Sequence, residues 1–134
     1  MNYPFLVSTP ERVAVSYSIT IRVNDHRVGW QSRPITDLMM IKGVRGYSWL
    51  YWNDGTKQLM AYTLKHYVSQ LPMNDFIRVH QNCLINRAFV QKTQLTHRGP
   101  LLRLSTGIDV AISRRRWSLV KKELQDSTGG SQGG

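Results

Sequence analysis

The chain has 134 residues, 41% of them hydrophobic, and carries 18 lysines and arginines against eight acidic residues, for a formal charge of +10. That is enough apolar matter for one packed domain, and it is not the composition of a disordered segment. No apolar run approaches the roughly 20 residues of a membrane-crossing helix, the N-terminus lacks the basic and apolar regions of a secretory signal, and the single cysteine, Cys83, permits neither an internal disulfide nor a cysteine-based zinc site, so a cytoplasmic protein is expected.

Residues 1–12 hold two prolines and little pattern, and read as a loose arm. In VAVSYSITIRV, residues 13–23, apolar side chains alternate with small or polar ones, which predicts a strand with one buried face. Asn24-Asp25 signals a turn, HRVGW a returning strand, and Gln31-Ser32-Arg33-Pro34 a connector. ITDLMMIKG predicts a short strand, and YSWLYWNDGTKQLMAY a hairpin turning at Asn53-Asp54-Gly55. In TLKHYVSQLP, Thr63 can cap a helix whose Leu64, Tyr67, Val68 and Leu71 share a face, with Pro72 as the stop.

FIRVHQNCLIN, residues 76–86, opens as a strand, shows three polar residues at His80-Gln81-Asn82, and returns to apolar ones at Cys83. AFVQKTQLTHRGPLLRLSTGIDVAIS predicts two or three more strands, turning at His97-Arg98-Gly99-Pro100 and at Ser105-Thr106-Gly107. SRRRWSLVKKEL closes as a helix capped by Ser113 with Trp117, Val120 and Leu124 inward, and DSTGGSQGG is a flexible tail. The fold class expected is mostly β, an elongated arrangement of small antiparallel sheets with a short internal helix and a C-terminal helix. Residues 1–34 form an extension, 35–125 the patterned domain and 126–134 the tail.

Catalytic and metal chemistry find little support. Cys83 lies in an apolar run and reads as packing, while the carboxylates and four histidines show no paired or ligand spacing. No enzyme, cofactor, metal or small-molecule substrate is expected. The charge points to a polyanion instead. Residues 61–134 hold eleven basic and four acidic residues, against seven and four in residues 1–60.

Three stretches could carry that contact. Arg114, Arg115 and Arg116 occupy the first turn of the last helix, where cations oppose the helix dipole. A basic run is often only a solvated face, but one that works against its own helix gains from a bound phosphate or a guanine edge. Gln81 and Asn82 present donor and acceptor together, which suits adenine, and His80 can donate to a phosphate or base edge. The alternative is a helix cap for Asn82 and a half-buried, satisfied His80. Around Arg45, Gly43 and Gly46 free the backbone, and Tyr47 and Ser48 could reach phosphate. A plain strand connection would also explain those glycines.

The ordered series ITDLMMIKG, DG, TLKHYVSQLP, FIRVHQNCLIN and STGIDVAISRRR resembles the LytTR family of bacterial DNA-binding domains over about residues 35–125. The most specific piece is Phe76, Arg78, His80 and Asn86, and Gly107 followed by Ile112, Ser113, Arg114 and Arg115 supports it. The resemblance implies small β-sheets that insert loops, not a recognition helix, into successive major grooves of promoter DNA. It implies contact from Arg45 to Ser48, from His80-Gln81-Asn82 and from Arg114-Arg115, with Arg78, Asn86 and Arg116 as further candidates. Two copies on paired sites would fit the family habit. Asn82 and Cys83 depart from the residues usual at those places, which leaves base preference open. Most members carry a receiver domain in front; the 34 residues ahead of the match are too few for one. The strand at 13–23 has no clear family counterpart. Two other readings remain at this point: a single-stranded RNA-binding β-domain stacking bases on Tyr47, Trp49, Tyr51 and Trp52, and a protein-interaction module using the 13–23 strand.

Overall fold

The computed structural model describes residues 19–127. Two compact units divide the chain after Asp37. The first holds a hairpin, β1 (Thr20–Asp25) paired antiparallel with β2 (Gly29–Pro34). Asp25 shapes its turn by accepting from the backbone N–H of Arg27 at 2.7 Å. The predicted strand at 13–23 is described only from residue 19 onward; residues 13–18, the arm at 1–12 and most of the tail lie outside the described residues. Two expectations are corrected here. The turn falls at residues 26–28, not at Asn24-Asp25, and Gln31 to Pro34 continue the strand instead of connecting it.

The second unit contains ten segments in chain order: β3 (Leu38–Val44), β4 (Tyr47–Trp52), β5 (Lys57–Met60), α1 (Leu64–Gln70), β6 (Phe76–His80), β7 (Cys83–Asn86), β8 (Val90–Thr96), β9 (Gly99–Leu104), β10 (Asp109–Ala111) and α2 (Arg114–Ser127). Short 3-10 turns at Ile35–Asp37 and Arg87–Phe89 precede β3 and β8. So ITDLMMIKG is a turn followed by a strand, because Asp37 breaks the apolar run before Leu38. Gly99 and Pro100 belong to β9; the turn before it is His97-Arg98 alone.

β5-β4-β3-β7-β6 form a five-stranded antiparallel sheet, and β10-β9-β8 a three-stranded one. The period-2 pattern gives the larger sheet two faces. Met40, Ile77, Val79, Cys83 and Ile85 join Leu102, Leu104, Ile112 and Val120 in one core cluster, on which Tyr51, Trp117 and Leu124 pack. Burying such side chains contributes about 1.5–3 kcal/mol each. Ile41, Leu50, Trp52 and Leu84 alternate with these and are fully buried. On that second face α1 approaches β3 closely: a side chain at Gly43 would begin 3.3 Å from the Leu64 Cβ, so glycine is what lets the helix settle there.

Both helices start as their sequences require. The Thr63 side chain accepts from the His66 N–H at 3.1 Å, and Leu64, Tyr67 and Leu71 turn inward. The Ser113 Oγ accepts from the Arg116 N–H at 3.3 Å. At the hairpin of β4 and β5, Gly55 takes φ +89° and Asp54 holds Thr56 through both backbone and hydroxyl.

Candidate nucleic-acid interface

Strand direction decides where the basic segments go. β3 runs into the turn at Arg45-Gly46, which the Val44–Tyr47 pair closes. β7 lies antiparallel to β3 with Lys42 opposite Cys83, and the Gly43 N–H donates to the Asn82 carbonyl at 2.8 Å. The turns at 45–46 and 80–82 therefore stand side by side at one end of the sheet. The Ser113 N–H donates to the Val79 carbonyl at 2.8 Å, which fixes the start of α2 beside the same end of β6. Arg114 continues the row. Its guanidinium lies against Gly99 and donates to the Arg98 carbonyl at 3.4 Å, at the tip of the β8–β9 hairpin.

Backbone geometry at each tip is specific. Arg45 has φ +50° and Gly46 φ +89°, the conformation of a tight hairpin turn with both central residues left-handed. Arginine is an unfavourable choice there, since its Cβ crowds the following carbonyl. At the second tip a bulge interrupts β6 between Arg78 and His80. Arg78 bridges the bulge: its Nε donates to the His80 carbonyl at 3.2 Å, and its Nη2 donates to the Gln81 carbonyl. One side chain thus holds two carbonyls of the turn. Burial, and then the nearby Arg116, shift the Arg78 pKa below the ordinary guanidinium value. Arg78 braces the tip from below, whereas the sequence reading had it reaching DNA. His80 Nδ1 lies 3.5 Å from the Asn82 N–H, so in the neutral ring the proton sits on the outward Nε2.

The structure brings Arg45, Tyr47, His80, Gln81, Asn82, Arg78, Arg114, Arg115 and Arg116 to this one edge. Arg45, His80, Gln81, Asn82, Arg114 and Arg115 are exposed, and Tyr47 is 50% exposed. No ion pair among the described residues engages Arg45 or the three arginines of α2; the acids that do pair are Asp25, Asp109 and Glu123. Two predicted contacts are corrected. Ser48 is 0% exposed, and its hydroxyl donates to the Tyr62 carbonyl at 2.7 Å. Asn86 is also buried; its Nδ2 donates to the Leu38 carbonyl at 2.8 Å and its Oδ1 accepts from the Ala88 N–H at 2.9 Å. Both ends of that amide are committed inside the fold. Asn82 caps no helix, because CLIN is strand β7.

Sequence reasoning missed Arg98 and the pair Tyr62 and His66. Arg98 was hidden inside a turn signal. Tyr62 stacks on His66, with ring centroids 4.4 Å apart, at the end of β5 that faces the same way as the Arg45 turn. No spacing in the sequence announces that pair. Cys83 lies in the core, and burial pushes its thiol up to about 12, so it remains protonated packing.

Antiparallel sheets whose turns, together with one helix start, form a single cationic edge define a DNA-binding domain of the β-loop type. The family model described as the LytTr DNA-binding domain matches residues 31–125, and the chain belongs to that family. The fold is shared with a solved structure, the LytTr DNA-binding domain of a Bacillus cereus protein described as a methyl-accepting/DNA response regulator. The two are 22% identical, with a TM-score of 0.69, over 81% of this chain and 98% of that one. No curated protein matches the chain in sequence. Among the described residues no helix is long and apolar enough to cross a membrane, and no cluster of three metal-ligating side chains occurs.

Proposed function

We propose that this protein is a cytoplasmic transcription regulator that binds double-stranded promoter DNA sequence-specifically, seating the Arg45 turn, the 80–82 turn and the start of α2 in successive major grooves. The observation that carries this reading is the single edge on which these segments meet, linked by the Gly43–Asn82 and Ser113–Val79 backbone bonds. Unpaired guanidiniums supply affinity through counterion release, and hence strong salt dependence. Gln81, Asn82 and Arg115 supply donors and acceptors for base edges, with Arg78 positioning the first two. Two copies on paired sites are part of the proposal.

The RNA-binding alternative loses its platform. Trp52 is buried, Tyr51 packs on the core, and the Lys57 ammonium lies 4.6 Å from the Trp49 ring centre, which leaves Tyr47 as the open ring of the four. Selection from a random duplex pool tests the proposal, followed by binding of Arg115→Ala to the selected site. The substitution is expected to weaken specific binding by about 1–3 kcal/mol and to relax choice at one base pair. Equal loss on selected and random duplexes would reduce Arg115 to a phosphate contact, and a pool with no enriched sequence would contradict the reading.

A further inference from the structure

Away from that edge, β8 and α2 enclose a groove of about 500 Å3. Its wall includes six consecutive residues, 90–95, from both faces of β8. Alternate residues of a strand point to opposite faces, so a wall of consecutive residues means that the strand's edge looks into the groove. β8 is indeed the outer strand of its sheet, with β9 as its neighbour. The opposite wall carries Trp117 and Leu124, and the Lys121 ammonium lies 5.3 Å from the Trp117 ring centre.

The groove's charge is one-sided. Arg87, Lys92 and Lys121 line it, and none of the lining residues is acidic. Arg87 is held at one end by Glu123, donating to its carboxylate and its carbonyl at 3.2 Å each, while its Nε is buried without a hydrogen-bond partner. An unsatisfied buried N–H of a charged group costs more than one that finds an acceptor. Exposed strand edges invite pairing, and lysine on such an edge normally repels it. A second copy of this chain, at +10, would be repelled. An acidic strand would be attracted by the same lysines.

We infer that the groove between β8 and α2 is a docking site for an extended, acidic segment of a partner protein, which adds to the free edge of β8, sets apolar side chains against Trp117 and Leu124, and places carboxylates by Lys92, Lys121 and Arg87. Six residues of strand span ~20 Å, enough for a short linear segment. A regulator that grips DNA at one edge would thereby recruit an acidic partner on another face. This inference does not depend on which DNA sequence is read.

The test uses the full chain and a fluorescein-labelled, capped heptapeptide, Glu-Val-Glu-Val-Glu-Val-Glu, followed by anisotropy. Binding is expected, weakening with salt, and weakening about tenfold in the double variant Lys92→Gln/Lys121→Gln. Arg115→Ala should leave peptide binding unchanged. N-methylation of the central valine keeps every charge and removes one backbone donor, and should weaken binding about fivefold. Amide shifts on peptide addition should centre on residues 90–95. Absence of binding, insensitivity to the double variant, or equal binding of the N-methylated peptide would overturn the docking site. If the double variant instead loses selected duplex DNA as strongly as Arg115→Ala does, the groove is a phosphate contact and the inference fails while the DNA-binding reading stands.

Discussion

Arg45 shows how a residue can be placed against its own preference. Its φ of +50° belongs to the region that glycine and asparagine occupy readily and branched or long side chains avoid. Replacing it with asparagine should relax the turn and raise stability by about 0.5–1 kcal/mol, read as a higher urea midpoint, while affinity for the selected duplex falls. Stability and binding moving in opposite directions would identify a site strained for function; a drop in both would mean the arginine supports the fold. Arg78 makes the complementary case. Lysine there keeps the charge but has no planar fork to span the His80 and Gln81 carbonyls. Arg78→Lys is expected to retain the salt slope of binding and to lose most of the preference for the selected site over random duplex. Loss of the slope itself, by about one unit, would return Arg78 to direct phosphate contact. The two residues that sequence misplaced, Ser48 and Asn86, are polar types whose partners are remote. Asn86 binds the carbonyl of Leu38, 48 positions earlier. A buried amide with distant partners looks, in sequence, the same as an exposed one.

Among the elements, the helices were legible because caps and periodicity agree. Thr63 and Ser113 both accept the N–H three residues on, as the spacing predicts. Ser113 does more, because its own N–H anchors α2 to β6. Ser113→Ala removes the side-chain acceptor and leaves that anchor. It should cost about 1 kcal/mol of stability by thermal or urea unfolding, with Ser113→Asp restoring it. An unchanged midpoint would show the backbone anchor alone to hold the helix start. The hairpin at Gly55 and the β6–β7 turn were legible for the same reason, as turn residues lie between alternating runs. β2 was not, because Ser32, Arg33 and Pro34 carry no apolar alternation; its pairing comes from β1 across the hairpin. Nor were the 3-10 turns before β3 and β8, which interrupt runs that read continuously. The order of strands in the larger sheet is a long-range fact. Pairing β3 with β7 brings the Arg45 and Gln81 turns together, and nothing local in either stretch says so.

For the whole molecule, charge and fold family converge on DNA from independent directions. The +10 charge predicts a polyanion without saying which one. The family model and the shared fold place the chain among LytTR DNA-binding domains. What joins them is the row of cationic turns set in register by backbone hydrogen bonds, a property of topology more than of any one side chain. Methylation interference on the selected duplex tests this most directly, since N7-methylguanine blocks contacts in the major groove alone. The account predicts at least two separate clusters of interfering guanines on one face of the duplex, about 10 base pairs apart, as protrusions in successive major grooves require. A single unbroken cluster, or interference confined to minor-groove adenines, would contradict it.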